Sequence, residues 1–523
     1  MDSLNDLKSR AARAWAERDL WQRLYDEAYE YGIPYRRPSA RVGRGQERVE
    51  KVFDNTAIVS AFRFAGQLQQ DLFPPGQPFF KLRPSPIVAM QLPEDQTDEL
   101  TRVLERVSDV LHMIFNGGEW DQATHEFCLD LAAGTAAMLI MPGDARRPVR
   151  FVTVPFDEVA IDLGGMNDID GIFWRTAQSR RAIRQTWPEG KYPKGFEDEK
   201  DQGNEVTLHQ QFTRRPGGVW DMTAYLDDSK EPIATAVYKT CPMIIGRYHR
   251  VPGEAYGRGP LLLNLPTIKT LNKTQEYTLK AAAVQLLGIW GYRAGGAFNP
   301  DTVRLQPGAF WPMSATGGVM GADVARLDVS AGRLDVGNLV LEDMRLQVQA
   351  GMYDDRIPDA GATPKSATEI VARQRRLQKS YIGAFSRLIN ELVAAVVQRV
   401  IEVAHRKGII DKAIEIDPLL MQIEILSPLA AALRADHLTA TTDFMQLVLM
   451  TEGPQALQVY FRPDVLTRVG HAMGVRAEDL NTAAEAAQVR QAMQQQAAAQ
   501  QMVEAAPALT DMARAASEME QPS

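Results

Sequence analysis

Apolar residues recur at helical spacing through the first part of the chain. Leu4, Leu7, Ala11, Ala14, Trp21, Leu24 and Ala28 fall three, four or seven apart, which predicts a helix over 2–31. Gly32 and Pro34 stop it, and a basic loop through Arg36, Arg37, Arg41, Arg44 and Arg48 follows. A second helix opens near Asp54 and Asn55, carries Ile58, Ala61, Ala65, Leu68 and Leu72 on one face, and ends at Pro74-Pro75-Gly76. Thr97 is the predicted cap of a third, whose stripe of Leu100, Val103, Leu104, Val107, Leu111 and Ile114 stops at Gly117-Gly118. A fourth runs from Trp120 to Leu131 and meets Gly134.

From about 149 to 250 the period shortens. RFVTVPF, GIFWRTA, EVTLHQQF, GVWDMTAYL and PIATAVY read as strands, and RRPG joins two of them as a hairpin. Trp220, Met222, Ala224 and Leu226 alternate, so one sheet face is expected to be buried. A helix returns over 261–287, with Pro260 suited to its first turn. After a Gly-, Pro- and aromatic-rich stretch, a shorter helix is predicted over 337–352, then the loop YDDRIPDAGATPK.

Ser366 and Glu369 form a capping-box signature for a long helix, followed by Ile370, Leu377, Tyr381, Phe385, Leu388, Leu392, Val396, Val400 and Val403. About 40 residues makes roughly 60 Å of helix. Gly383 lies inside it and permits a kink. AIEIDPLLMQIEIL is strand-like, further helix is expected over 428–480, and the Ala/Gln/Met-rich tail from 482 reads as helix or disordered chain. The pattern gives an α+β fold, mostly α-helical.

Composition narrows the function more than the fold. The 523 residues are 45% hydrophobic and 24% charged, with a formal net charge of −8. Proteins that clamp nucleic acid by counterion release are usually basic, so extensive phosphate binding is not expected. Weak contact with a sliding duplex remains compatible. Cys128 and Cys241 are the only cysteines, too few for a disulfide framework or zinc site; Cys128 reads as a buried thiol. The N-terminus lacks an apolar signal core, and LINELVAAVVQRVIEVA is broken by Asn390, Glu391, Gln398, Arg399 and Glu402. No membrane association is expected.

Local catalytic motifs are missing. Gly190-Lys191 is followed by Tyr192 and lacks the upstream glycine of a phosphate loop. His125-Glu126 has no second histidine four residues after the first, and no G-x-S-x-G elbow occurs. Gly291, Gly295 and Gly296 do not lie between a strand and a helix, and the seven histidines show no common metal spacing. Asp227-Asp228 and Asp354-Asp355 read as solvated loop pairs. The expectation is a protein that is not an enzyme and has no metal or cofactor.

Four segments, in order, resemble the head-to-tail connecting (portal) proteins of short-tailed bacteriophages. LFPPGQPFFKLRP at 72–84 resembles that family's turn after an N-terminal helix. EAYGRGPLLLNLPTIKTLNKTQEYTLKAA at 254–282 is similar to its lead into the first stem helix. ATPKSATEIVARQRRLQKSYIGAFSRLINELV at 362–393 resembles its long helix, and ILSPLAAALRADHL at 425–438 its approach to the C-terminal region. The resemblance implies a portal fold with wing, stem, clip and crown regions. They divide as an N-terminal helical wing region (1–148), an antiparallel β wing region (149–258), a stem helix (259–287) and a clip (288–335). A second stem helix (336–353), a channel loop (354–365), a long wing helix and strand (366–427) and a crown with its tail (428–523) complete the chain. It also implies a homo-oligomeric ring, usually a dodecamer, at a capsid vertex in the virion, assembled in the host cytoplasm. Implied partners are double-stranded DNA, the terminase large subunit, capsid and scaffold proteins, and tail adaptor proteins.

Within that frame, Lys269, Lys273 and Lys280 fall within about 40° of one another at 100° per residue. Stacked around a ring they would centre DNA, although an ordinary solvated face has the same pattern. Arg356 and Lys365 flank the implied channel loop, where a plain connector is the alternative. Trp290, Phe298, Phe310 and Trp311, beside Arg293 and Arg304, suit a partner-binding patch; packing between subunits would use the same residues. The rival functions are a tail adaptor or scaffold component and, in a different class, a nuclease or packaging ATPase. The missing phosphate loop speaks against the ATPase.

Overall fold

The computed structural model describes residues 3–36, 51–193, 203–287, 289–292, 324–327, 334–353, 388–410, 421–426 and 441–453, together with isolated positions at 196 and between 460 and 496. Helix α1 (Leu4–Gly32) opens on a capping box in which Ser3 and Asp6 each accept the other's backbone N–H. Helix α2 (Thr56–Leu72) starts where the Asp54 carboxylate accepts the Thr56 N–H at 2.9 Å. Strand β1 (Phe80–Pro84) and the short α3 (Pro86–Gln91) follow; the sequence reading did not anticipate α3.

Thr97 does not cap the third long helix. Helix α4 (Glu94–Asn116) begins directly after Pro93, and the Thr97 hydroxyl donates back to the Pro93 carbonyl at 3.1 Å. A threonine can satisfy a preceding carbonyl inside a helix as readily as it caps one. Helix α5 (Trp120–Ala133) ends at Gly134, whose φ of 146° is open only to glycine.

The β content begins earlier than the alternation suggested. Strand β2 (Thr135–Pro142) is the middle of a three-stranded antiparallel sheet, between β3 (Val149–Val154) and β9 (Met243–Arg247). Its residues from Thr135 to Ile140 are all buried, so no polar face marks it as a strand. A second sheet runs in sequence order, from β4 (Val159–Leu163) and β5 (Ile169–Ser179) to β6 (Glu205–Arg214), β7 (Trp220–Leu226) and β8 (Ala234–Tyr238). Helix α6 (Arg180–Thr186) lies between β5 and β6. The β6–β7 turn is the expected hairpin, and Met222, Ala224 and Leu226 are buried.

Helix α7 (Pro260–Leu287) starts at the expected proline, and α8 (Leu334–Gly351) begins three residues before the predicted position. A short antiparallel pair, β10 (Ile289–Tyr292) and β11 (Val324–Leu327), lies between them. The expected channel loop (354–365) and the first part of the expected long helix (366–387), with its Ser366–Glu369 box and Gly383, fall outside the described residues. The rest is helical but not uniformly α: a π turn at Ile389–Val393 precedes α9 (Ala394–Arg406). Strand β12 (Met421–Ile425) pairs antiparallel with β1, and a further helix covers 441–451.

One apolar core joins α1, α2, α4, α5, the three-stranded sheet, α7, α8 and α9. The turn after α2 feeds it: Phe73, Phe79 and Phe80 pack with Phe115 and Trp120, with ring centroids between 4.8 and 6.0 Å apart. Buried charges join its ends. Tyr29 donates to Asp130 at 3.0 Å, and Arg36 meets both carboxylate oxygens at 3.0 and 2.6 Å. Arg399 donates to the β2 carbonyl of Ile140 at 3.1 Å and to Glu402, also at 3.1 Å, while Glu402 accepts the Lys239 and Thr240 N–H groups. Cys128 is a buried free thiol, and burial raises its pKa.

Asp71, near the end of α2, is the exception among the buried carboxylates. It is only 9% exposed and, among the described residues, has no hydrogen-bond or ionic partner; desolvation pushes its pKa up to about 6. A carboxyl whose pKa is raised by folding costs stability once it ionises. That cost grows as pH rises from the ordinary value of 3.8 to about 6 and is full above it. Asp71→Asn is expected to raise stability at pH 7.5 by about 1–3 kcal/mol. The gain should vanish near pH 3.5, as read from denaturant midpoints of both proteins across that range.

Candidate functional site

The site-bearing helix α7 rises from a socket in which backbone touches backbone. A Cβ at Gly134 would sit 2.8 Å from the Gly259 nitrogen, and one at Gly259 would sit 2.6 Å from the Ala132 carbonyl carbon. Gly257 packs against Gly134 in the same way. The approach is fixed by hydrogen bonds: Gly259 N–H to Ala133 at 3.1 Å, Tyr248 N–H to Gly134 at 2.8 Å, and Gly257 N–H to the Thr135 hydroxyl at 2.9 Å. Tyr25, from α1, closes the socket by hydrogen bonding to Thr135 at 2.8 Å and to the Gly257 carbonyl.

Two further contacts hold the helix. Asn272, buried in α7, accepts the Phe53 and Asp54 N–H groups at 2.7 and 3.2 Å and donates to Lys51. Asp54 in turn receives Arg345 of α8 at 2.9 Å. The residues just before α2 therefore tie α7 to α8. Sequence reading missed Asn272, Asp54 and Arg345, because their partnerships span more than 200 positions.

Lys269, Lys273 and Lys280 lie on the outer face of α7, with side chains 44%, 55% and 67% exposed. None is isolated. Lys269 pairs with Glu27 of α1 at 3.0 Å, and Lys273 and Lys280 meet the two oxygens of Glu276 at 2.7 and 2.5 Å. Lys273 also lies over the Tyr277 ring, 5.0 Å from its centroid. Hydrogen bonds from Lys273 and Lys280 hold the Glu276 carboxyl below its ordinary pKa, and a bond from Lys269 does the same for Glu27. An open groove of about 790 Å³ beside the row is lined by Tyr31, Lys51, Phe53, Lys269, Lys273 and Tyr277. The spacing of Glu276 from Lys273 and Lys280 was a readable signal; Glu27 was not.

Trp290 is in β10, opposite Arg326 of β11. Arg293, Phe298, Arg304, Phe310, Trp311, Arg356 and Lys365 lie outside the described residues. Among the described residues no group of three or more His, Cys, Asp or Glu side chains could hold a metal ion. Among them, too, no helix is long and apolar enough to cross a membrane.

The sequence profile of the bacteriophage head to tail connecting proteins matches residues 4–480. The chain belongs to that family. A curated relative, described as a probable portal protein of Bordetella phage BPP-1, is 22% identical over 470 residues, covering 82% of this chain and 80% of that protein. Two solved structures are similar: a chain in the virion of a native gene transfer agent particle and one in the neck of an empty particle of that kind. They are 11% and 12% identical, each with a TM-score of 0.35, covering 77% of this chain and 92% of the other. Family membership gives the chain a portal or connector role and makes it a structural component of the phage particle.

The socket makes a specific demand on this connector's sequence. Gly259→Ala forces backbone apart at the root of α7 and is expected to cost about 1–3 kcal/mol, the range for overpacking. Gly66→Ala is the control: nothing lies within 4 Å of its Cβ, and a helix interior favours alanine by up to about 1 kcal/mol. Denaturant midpoints should therefore move in opposite directions.

Proposed function

We propose that copies of this chain form a ring of twelve subunits at one capsid vertex, the number to be checked by the mass of the purified assembly. Double-stranded DNA passes through its channel during packaging and again at ejection. The clip region takes the terminase large subunit during packaging and tail adaptor proteins afterwards, and the wing region meets capsid and scaffold proteins. The role is conduction and docking without a reaction of its own.

The observation that carries this reading, beside family membership, is the charge balance of the exposed α7 row. Three lysines share two carboxylates, Glu27 and Glu276. A row with a small positive excess, repeated around a ring, attracts phosphate enough to centre a duplex without holding it. Arg356 and Lys365 at the channel loop, and the aromatic and arginine residues between 290 and 311, are assigned to DNA and to docking respectively. An electron micrograph of the purified protein separates this from a tail adaptor or scaffold role: a hollow ring supports the portal, and a rod or monomer overturns it.

Changing the row in either direction tests its part. Replacing Lys269, Lys273 and Lys280 with glutamine is expected to lower the DNA packaged per particle while rings still form. Normal packaging in that variant would remove the lysines from the channel. Glu276→Gln frees Lys273 and Lys280, and duplex binding by the ring is expected to strengthen and to depend more steeply on salt. An unchanged salt slope would mean that the row does not face the DNA.

A further inference from the structure

We infer that the outer edge of β8 is a docking site for an extended segment of another protein. The segment adds to the five-stranded sheet as a sixth strand and carries an acidic side chain to the cavity beside it. The site belongs to the single chain and does not depend on the DNA contacts proposed above.

The register shows where the main chain of β8 points. Arg215 donates its N–H to the Val219 carbonyl at 2.8 Å, so Thr213 with Asp221 and Gln211 with Thr223 are the pairs that exchange bonds between β6 and β7. Met222 and Ala224 then turn the other way, to Ala236 and Ala234 of β8. Thr235 and Val237 therefore direct their N–H and C=O groups away from the sheet. Two bonds from outside mark that direction: the Ile233 carbonyl accepts the Lys191 N–H at 3.2 Å, and the Val237 carbonyl accepts Arg406 at 2.9 Å. Between them, the Thr235 N–H and carbonyl and the Val237 N–H have no partner among the described residues. Both residues are exposed, Val237 to 47%. Edge strands are ordinarily guarded by a charge, a proline or a bulge. Strand β8, Ala234–Tyr238, has neither charge nor proline, and its pairing with β7 is regular.

Main-chain donors and acceptors at strand spacing select a polypeptide, since another extended chain presents the matching pattern. The side-chain chemistry comes from a cavity of about 380 Å³ that adjoins the edge at Thr235 and Ala236. Thr213, Thr223 and Thr235 share one face of the sheet by register. A residue opposite Thr235 in an added strand stands on that same face, over the cavity. Leu4 and Leu7 of α1 give the cavity an apolar wall, and Arg214 and Arg215 give it positive charge. Arg215 pairs with Asp221, whereas Arg214 is exposed and pairs with no carboxylate among the described residues. A carboxylate on the incoming strand supplies that partner.

Amide hydrogen exchange of the full-length protein over 233–238 reads the edge directly. The probes are an end-blocked heptapeptide of alternating valine and glutamate, the same peptide with lysine for glutamate, and the glutamate peptide N-methylated throughout. The glutamate peptide is expected to slow the two fast amides, Thr235 and Val237, by about tenfold or more. The lysine peptide should protect them less, and the methylated one not at all. Exchange that stays fast at millimolar glutamate peptide, or equal protection by the methylated peptide, overturns the site. Protection already present in the assembled protein and lost on dilution to monomer means that a second copy covers the edge, which overturns a separate partner. Val237→Pro removes one donor at an edge position that tolerates proline. It should keep the circular dichroism of the unmodified chain and weaken the glutamate peptide about fivefold; unchanged affinity counts against the strand. Arg214→Glu should reverse the preference between glutamate and lysine peptides, and an unchanged preference overturns the acidic side chain.

Discussion

Three glycines at the junction of α5, β2 and the turn before α7 allow main chain to lie on main chain, and much of the molecule is arranged around that contact. Side chains at Gly134, Gly257 or Gly259 would each overlap backbone atoms of a facing segment. The gain is a set of direct hydrogen bonds, from Gly259 to Ala133 and from Tyr248 to Gly134, that fix where α7 leaves the body. Tyr25 extends the same joint to α1, and Thr135 bridges Tyr25 and Gly257 with its one hydroxyl. A helix of 28 residues anchored at one end in this way has a direction set by backbone geometry rather than by adaptable side chains.

Buried charges perform a related task at two other joints. Asp130 is buried, and burial pushes its carboxyl pKa up; Arg36 and the Tyr29 hydroxyl work against that rise. Around Glu402, burial opposes the charge, but Thr240 and Arg399 more than offset it and hold the carboxyl below its ordinary range. Such pairs add less to stability than apolar packing of the same volume, yet removing one member leaves the other exposed to the full desolvation cost. They specify one arrangement: α1 on α5 in the first case, and α9 on β2 and the segment after β8 in the second. Asp71 has no such partner among the described residues, and desolvation is the cause of its raised pKa.

How much was legible follows from how local each signal is. Helices α1, α2, α5 and α7 could be read because their stripes, glycine stops and Pro260 act within a few residues. Strands β5 to β8 of the meander could be read from alternation and a turn, whereas β4 and, in the other sheet, β9 were not anticipated. Strand β2 could not, since burial on both faces removes the alternation that marks a strand. The start of α4 was displaced because Thr97 could serve either as cap or as a donor to the preceding turn, and Pro93 decided it. The π turn at Ile389–Val393 keeps the apolar spacing close enough to helical that periodicity passes over it. The three lysines lie exposed on α7, the helix their spacing was read from, whereas the pairing of Lys269 with Glu27 depends on α1 lying alongside, a fact of tertiary packing.

That distinction bears on the row itself. Lys273 and Lys280 are balanced from within their own helix, three before and four after a single carboxylate, so their charge state is set wherever α7 is helical. Lys269 is balanced only because the glycine socket brings α7 beside α1. The charge balance on which the proposed contact with DNA rests thus has two sources, one written in the local sequence and one produced by the fold. A chain with net charge −8 reaches this balance without a basic domain, by placing few cations on one face and leaving a carboxylate among them. Glu276 is the carboxylate that holds the row's charge down from within the helix, hydrogen-bonded to Lys273 and Lys280 at its two oxygens.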